Sequence, residues 1–357
     1  MAALAVYGNV ELLAEQCREF QPRYACVVDE SKRETLARDL SGSEIEVLAG
    51  GAELIRLASL DGLDMVVNAV VGAAGLRASL AAVEAGKNLA LANKESLVTG
   101  GPLFPPLLER TGARILPIDS EHSAIWQALA CGRAEEVRRI IITASGGPFR
   151  TLPKEKFAGI TAAEALNHPT WKMGPKITVD SATLANKGLE VIEAVALFQV
   201  PVDRVRVVVH PQSIIHSLVE FVDSSLIAQL SQPDMRLPIT YALFWPERVE
   251  SDYGRLDLAE LGQLTFEPPD EDRFPLLGLA FQAARQGGTA PAVYNAANEV
   301  AVEGFLGGTV AFEQIAEIVD MALSRIEKTD KPDLDDILNA DSRARGLARE
   351  AISETTC

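Results

Sequence analysis

The chain has 357 residues, 48% of them hydrophobic, enough to bury an ordinary core in two or three domains and to exclude a disordered protein. Lys and Arg number 33 against 50 Asp and Glu, and the resulting formal charge of −17 repels a polyphosphate backbone, which sets nucleic acid aside as a partner. No apolar run reaches the roughly 18 residues of a membrane span, and Cys17, Cys26, Cys131 and Cys357 show no CxxC spacing, so neither a membrane partner, a zinc site nor a disulfide framework is indicated.

From Met1 to Asp119 short β-branched runs (residues 3–7, 24–28, 45–49, 65–71, 88–93 and 113–119) alternate with helix-like segments. Repeated βα alternation predicts an α/β fold with a doubly wound parallel sheet over residues 1–119. Beyond Arg138, the strands at 138–144, 204–209, 217–222 and 225–230 are joined partly by turns too short for helical crossovers. That pattern predicts a mixed α+β domain over 120–245, interrupted by one long helix at about 183–198. Residues 246–271 are rich in Pro, Asp and Glu and read as a linker, and 272–357 repeat apolar residues at helical spacing, which predicts a small C-terminal all-α domain. The start MAALAVYGNVELL lacks the basic head of a secretory signal, so a soluble cytoplasmic protein is expected.

Chemistry concentrates in a few stretches. In LPIDSEHSAI, residues 116–125, Asp119 and Glu121 lie at i and i+2. At the carboxyl end of a buried strand they would share a face, where open α/β sheets bind ligands. The alternative is a solvated strand end with Glu121 in the first turn of a helix. SATLANKGLE places Asn186, Lys187 and Glu190 on one stretch of helix, and Glu190 is the expected third acid. An all-oxygen set favours Mg²⁺ or Mn²⁺ over zinc. Asn93, Lys94 and Glu95 follow another buried strand, either as functional groups or as a charged helix start. Ser145, Gly146 and Gly147 offer a hydroxyl and bare N–H groups to a phosphate, although a tight turn at positive φ explains the glycines equally well. NHPTWKMGPK, residues 167–176, reads as an irregular lid carrying His168, Trp171 and Met173, or else as a surface loop. His210 and His216 read as structural, and Asn295, Asn298 and Glu299 as caps or cross-links between helices.

The ordered set GAAGL, LANKESLV, LPIDSEH, ASGGPFR, NHPTWKMG, DSATLANKGLE, HPQSIIHS, QPDMRLPI and YNAANE resembles the 1-deoxy-D-xylulose 5-phosphate reductoisomerase family from about Met1 to the end. The resemblance implies an NADPH- and divalent-metal-dependent conversion of that phosphosugar to 2-C-methyl-D-erythritol 4-phosphate, by skeletal rearrangement and hydride transfer. It also implies a homodimer with a Rossmann-like nucleotide domain. By resemblance, Asp119, Glu121 and Glu190 hold the metal and Lys94 sits beside the substrate oxygens. Ser120, Ser145, His168, Ser181, Asn186 and Lys187 bind the substrate, with Lys94, Glu121 and His168 catalytic. Trp171 and Met173 belong to the lid, and Asn9, Asn93, Glu95 and Gly174 touch the nucleotide.

One departure stands out. Family members begin with a strand, a glycine-rich GxTGSIG turn and a helix, whereas Met1 here falls at the second strand, and Val6, Tyr7, Gly8 and Asn9 stand where the family often has Ala-Gly-x-Asn. The expectation is an N-terminally truncated nucleotide domain lacking its central strand, with one further βα unit of about 25 to 35 residues in the natural protein. The bacterial cytoplasm is the expected location, with a plastid origin left open. Two other functions compete: a non-catalytic relic that binds phosphosugar but no NADPH, and a cofactor-free, metal-dependent phosphosugar isomerase or aldolase.

Overall fold

The computed structural model describes residues 1–356. Its first elements are β1 (Ala3–Val6), α1 (Val10–Phe20), β2 (Tyr24–Val27), α2 (Arg33–Asp39), β3 (Glu46–Ala49) and α3 (Gly51–Ala58). They are followed by β4 (Met65–Asn68), α4 (Leu76–Glu84), β5 (Asn88–Leu91), α5 (Lys94–Gly100), α6 (Phe104–Thr111) and β6 (Ile115–Pro117). Then come α7 (Ser120–Leu129), β7 (Val137–Ala144), α8 (Ala162–Ala165), α9 (Pro175–Ala182), α10 (Ala185–Phe198), β8 (Val205–Val209), β9 (Ile215–Phe221) and β10 (Leu226–Leu230). The chain ends in helices: α11 (Arg236–Phe244), α12 (Leu258–Leu261), α13 (Pro275–Gln286), α14 (Ala290–Leu306), α15 (Gln314–Arg325) and α16 (Leu334–Thr356). Two compact units result, 1–93 with 104–116, and 94–103 with everything from Pro117 on. The sequence reading kept 94–103 inside 1–119, but α5 packs on α10 and α14 and so belongs to the second unit.

In the first unit the period-two alternation of a strand sorts the core. Ala25 and Val27 of β2 face Val10, Leu13, Ala14 and Cys17 of α1 and Leu36 of α2, while Tyr24 and Cys26 face Leu57 of α3. β1, β2 and β3 pair in parallel in that order, and a second sheet has the order β4-β5-β6, with β4 and β5 parallel. The doubly wound α/β arrangement is therefore present, but the expected single sheet is two three-stranded pieces. Among the described residues no strand pairs with the outer edge of β1 or of β4. Apolar side chains stand exposed on or near these edges, Tyr7 at 74%, Val67 at 52% and Val71 at 76%.

The second unit is built on a mixed sheet of order β10-β9-β7-β8, parallel between β7 and β8 and antiparallel elsewhere. Short turns between β8, β9 and β10 enforce the reversals. α14 is buried nearly all round, since its Ala, Val and Tyr residues pack against α13, α15 and α16 and its Asn298 and Glu299 pair with polar groups of other helices. The stretch 246–271 is tied down rather than free: Glu267 forms an antiparallel bridge with Val209 and accepts from Arg150 at 2.5 Å.

α10, which carries three of the expected site residues, lies close to α13 at Gly188. A Cβ there would come within 2.5 Å of the Ala280 Cβ and 2.9 Å of the Tyr294 hydroxyl. Gly188→Ala is therefore expected to lower the free energy of unfolding by about 1–3 kcal/mol in denaturant titrations, since neither neighbour has room to retreat.

Candidate active site

Leaving β6, the chain reaches Asp119 in an extended conformation as the N-cap of α7, and Ser120 and Glu121 fall in the first helical turn. The two acids are thus not alternate residues of a strand. They converge because the helix start curls beneath them, and a helix N-terminus favours negative charge. The opposing residues come from α10. Leu184, a non-glycine residue at φ 60°, breaks the chain between α9 and α10, a left-handed conformation that costs on the order of 1–3 kcal/mol and is held by the burial of Leu184. The break lets the first turns of α10 bring Asn186, Lys187 and Glu190 to Asp119 and Glu121.

Asp119, Glu121 and Glu190 each offer an oxygen, and these oxygens lie within 4.8 Å of one another. Lys94, the first residue of α5, is 2.6 Å from Asp119 Oδ2 and 3.3 Å from Glu190 Oε1, and donates to Asn186 Oδ1 at 2.8 Å. Asn186 Nδ2 donates to Glu190 Oε1 at 2.6 Å. Lys187 Nζ is 2.8 Å from Glu121 Oε1 and also contacts Glu190 Oε2, and Ser120 Oγ donates to Glu121 Oε2 at 2.5 Å.

Burial, followed by the charge of Glu121, holds the Glu190 carboxyl above its ordinary value against the pull of Lys187 and Lys94. Asp119 goes the other way. Burial alone would raise it, but Lys94 and His122 outweigh burial and hold it well below the usual carboxylate range. Burial would likewise lower Lys94, and the carboxylates of Asp119 and Glu190 raise it well above. Three carboxylates face two ammonium groups in a dry site, so one negative charge is in excess. A hard divalent cation fits that oxygen set and that charge.

A second cluster in the same unit gathers the hydroxyls. His168 Nδ1 accepts from the backbone N–H of Thr170 (3.1 Å) and Trp171 (2.9 Å), so its hydrogen sits on Nε2, 3.1 Å from both Ser145 Oγ and Ser181 Oγ. Burial lowers the basicity of His168, which keeps the ring neutral. Gly146 and Gly147 adopt φ 87° and 67°, and a Cβ on Gly147 would meet the Ser181 carbonyl oxygen at 2.6 Å. The glycines thus serve the turn and its approach to α9. Residues 167–174 are irregular, and the Trp171 ring lies 6.5 Å from that of His216.

The nucleotide candidates have structural partners. Asn9 caps α1 by accepting from Leu12 N at 3.2 Å, and buried Asn93 donates to the Gly72 carbonyl at 2.9 Å. Gly174 is the N-cap of α9, and Glu95 lies 3.2 Å from Lys176. His210 bonds the Thr265 carbonyl and His216 bonds Ser231. Asn298 donates to Asp180 of α9 at 2.8 Å, and Glu299 pairs with Arg345 of α16, so both cross-link helices.

Two buried residues escaped the sequence reading. His122 Nδ1 lies 3.4 Å from Glu193 Oε2 and 3.9 Å from Asp119 Oδ1. Burial alone would lower His122, but Glu193 and Asp119 raise it to about 9, while burial pushes Glu193 to about 7 against the pull of His122. The available signal was their i+3 spacing from Asp119 and Glu190 on the same helices.

A doubly wound α/β unit, with an acidic cluster suited to a cation and a cluster of hydroxyls in the unit that follows, fits the build of a metal-dependent oxidoreductase. Profiles described as 1-deoxy-D-xylulose 5-phosphate reductoisomerase match residues 1–101, its C-terminal domain 115–198, and a "DXP reductoisomerase C-terminal domain" 230–347. The reductoisomerase of Chlorobaculum tepidum is 52% identical over 352 residues, covering 99% of this chain and 92% of that protein. The one from Moorella thermoacetica is 52% identical over 356 residues, with the same coverages. Among solved structures, the Zymomonas mobilis reductoisomerase in complex with NADPH aligns with TM-score 0.92 at 44% identity, over 98% of this chain and 91% of that one. A reductoisomerase in complex with NADPH, fosmidomycin and magnesium aligns with TM-score 0.94 at 41% identity, over 99% and 91%. The chain belongs to the 1-deoxy-D-xylulose 5-phosphate reductoisomerase family.

The charge excess has a consequence for stability. Because Glu190 titrates above its ordinary 4.5, this carboxyl keeps its proton in the folded chain at pH values where the unfolded chain has lost it, and its own contribution to stability falls as pH rises through that window. A bound divalent cation relieves that penalty and requires the deprotonated carboxylates. The rise in Tm on adding Mg²⁺ is therefore expected to be larger at about pH 8 than near pH 4.5, as thermal melts would read.

Proposed function

We propose residue roles for the activity that family membership assigns, the NADPH- and divalent-metal-dependent conversion of 1-deoxy-D-xylulose 5-phosphate to 2-C-methyl-D-erythritol 4-phosphate. The convergence of Asp119, Glu121 and Glu190 within 4.8 Å, beside two buried lysines, carries the reading. These three acids would hold Mg²⁺ or Mn²⁺, which when bound acidifies a substrate hydroxyl and polarises its carbonyl. Lys94 and Ser120 stand beside the acids and supply hydrogen bonds to the substrate oxygens. His168 presents Nε2–H with the Ser145 and Ser181 hydroxyls, and these, with Asn186 and Lys187, grip the phosphate end and hydroxyls. Remote phosphate binding orients the reacting carbons. Trp171 and Met173 exclude water from reactive intermediates, and Asn9, Asn93, Glu95 and Gly174 contact NADPH.

The division into a nucleotide domain, a catalytic domain and a C-terminal helical domain belongs to this proposal, as does the isomerase half of the reaction. So does a homodimer, for which the supporting observation is apolar exposure at Leu226 of the edge strand β10, at Val222 in the turn before it, and at Leu243 and Phe244 of α11. A cytoplasmic location is supported by free Cys17, Cys26 and Cys131, and no helix among the described residues is long and apolar enough to cross a membrane. The non-catalytic relic is not favoured, since similarity runs through 99% of the chain.

NADPH oxidation with 1-deoxy-D-xylulose 5-phosphate and Mn²⁺ tests the reading. Glu121→Gln should slow turnover on the order of 10³-fold by removing several kcal/mol of charge stabilisation, and a variant as fast as the parent refutes the metal assignment. Phosphosugar binding with no nucleotide affinity would instead favour the relic. Sedimentation at twice the 38.3 kDa chain mass is expected, and a monomer would refute the dimer.

A further inference from the structure

Beneath the acidic cluster lies a pair of buried side chains that contacts none of the groups assigned to the substrate. We propose that His122 and Glu193 are positioning residues, a hydrogen-bonded strap that fixes the start of α7 against α10 and so sets the spacing of Asp119 and Glu190 as metal ligands. The inference rests on the metal-site reading above and deepens it.

His122 follows Asp119 by three residues on α7, and Glu193 follows Glu190 by three on α10, so each lies on its ligand's helix face. His122 is 0% exposed and Glu193 1%. His122 Nε2 is 3.0 Å from the backbone carbonyl oxygen of Glu190, and a carbonyl only accepts, so Nε2 carries a hydrogen. Nδ1 then faces Glu193 Oε2 at 3.4 Å and Asp119 Oδ1 at 3.9 Å. Nδ1 and Oε2 are both buried without a hydrogen-bond partner, and the 3.4 Å gap between them is slightly too open to be one. Each is the nearest polar partner open to the other, and one hydrogen shared across a slightly closed gap would satisfy both buried groups. The ring plane is fixed by Phe198, stacked at 6.1 Å and 11°.

The imidazole therefore grips α10 twice, at the backbone of one ligand and at the side chain a turn further on, while rooted one turn from the other ligand. Outer groups that orient metal ligands in this way typically change metal affinity by about 10- to 100-fold when removed. Asp119, His122 and Glu193 also lie within 4.8 Å of one another, so a second cation is the competing occupant. Against it, the cluster offers two buried members, His122 and Glu193, and an Asp119 that the acid trio already uses.

The test is Mn²⁺ binding to the full chain without substrate or nucleotide, followed by the paramagnetic signal of the free ion. Glu193→Leu and His122→Phe should each weaken Mn²⁺ by about 10- to 100-fold. Their double variant should be no weaker than the poorer single, because one strap breaks only once. Glu193→Gln should stay within a few-fold of the parent, since its amide N–H can donate to Nδ1. Parent-like affinity in Glu193→Leu, additive losses in the double variant, or two Mn²⁺ per chain would each overturn the strap. Variants that no longer fold would mark the pair as merely structural and overturn it too. Glu190→Gln separates the two readings: if it also binds Mn²⁺ like the parent the metal site itself is wrong, whereas loss there with retention in Glu193→Leu removes only the strap.

Discussion

The excess of negative charge in a dry space is the constraint on which the second unit depends. Glu190 is fully buried, and a carboxylate there without compensation would cost several kcal/mol. Lys94 and Lys187 supply part of the compensation at ion-pair distance. Complete neutralisation by a third lysine would give a stable and inert salt cluster. On the proposed reading, the incomplete balance is what would give the site its appetite for a divalent cation.

Helix starts deliver these charges. Lys94 opens α5, Asp119 caps α7, and Asn186 and Lys187 lie in the first turn of α10. Acids are welcome at an N-terminus and lysines are not, so Lys94 depends on acids of α7 and α10, and Lys187 on Glu121 of α7 together with Glu190 of its own helix. The site and the packing of α5, α7 and α10 are consequently one arrangement, and the left-handed Leu184 is the backbone feature that makes the angle between α9 and α10 possible. The lid follows the same economy. His168 spends Nδ1 on the backbone of the loop and turns Nε2–H toward two serines, so the loop proposed as the lid also sets the tautomer that the serines meet.

The first unit is simpler in its physics. Alternation along β2 places one pair of side chains under α1 and α2 and the other under α3, which is enough to build a small core on each face. The sheet nonetheless parts between β1 and β4, and exposed valines mark the break. Asn9 and Asn93 are occupied in capping and bracing their own loops, and bracing of that kind holds a loop rigid for a ligand.

Much of this was legible in the residues. The βα alternation, the mixed sheet after Arg138, the helical end and the identities of the three acids all follow from local patterns, because strand and helix periods are written in neighbouring residues. What local pattern misjudged was geometry. Asp119 and Glu121 looked like strand neighbours and are a helix cap and its first turn, since a single residue, Ile118, separates β6 from Asp119. His122 and Glu193 passed as ordinary helix residues, because a buried polar contact between two helices leaves no mark on either one alone. Residue types and their spacing determined the chemistry available to this protein. Only the tertiary structure decided which charges meet, because residues some 70 positions apart are brought together by helix packing and a left-handed kink rather than by any rule of nearest neighbours.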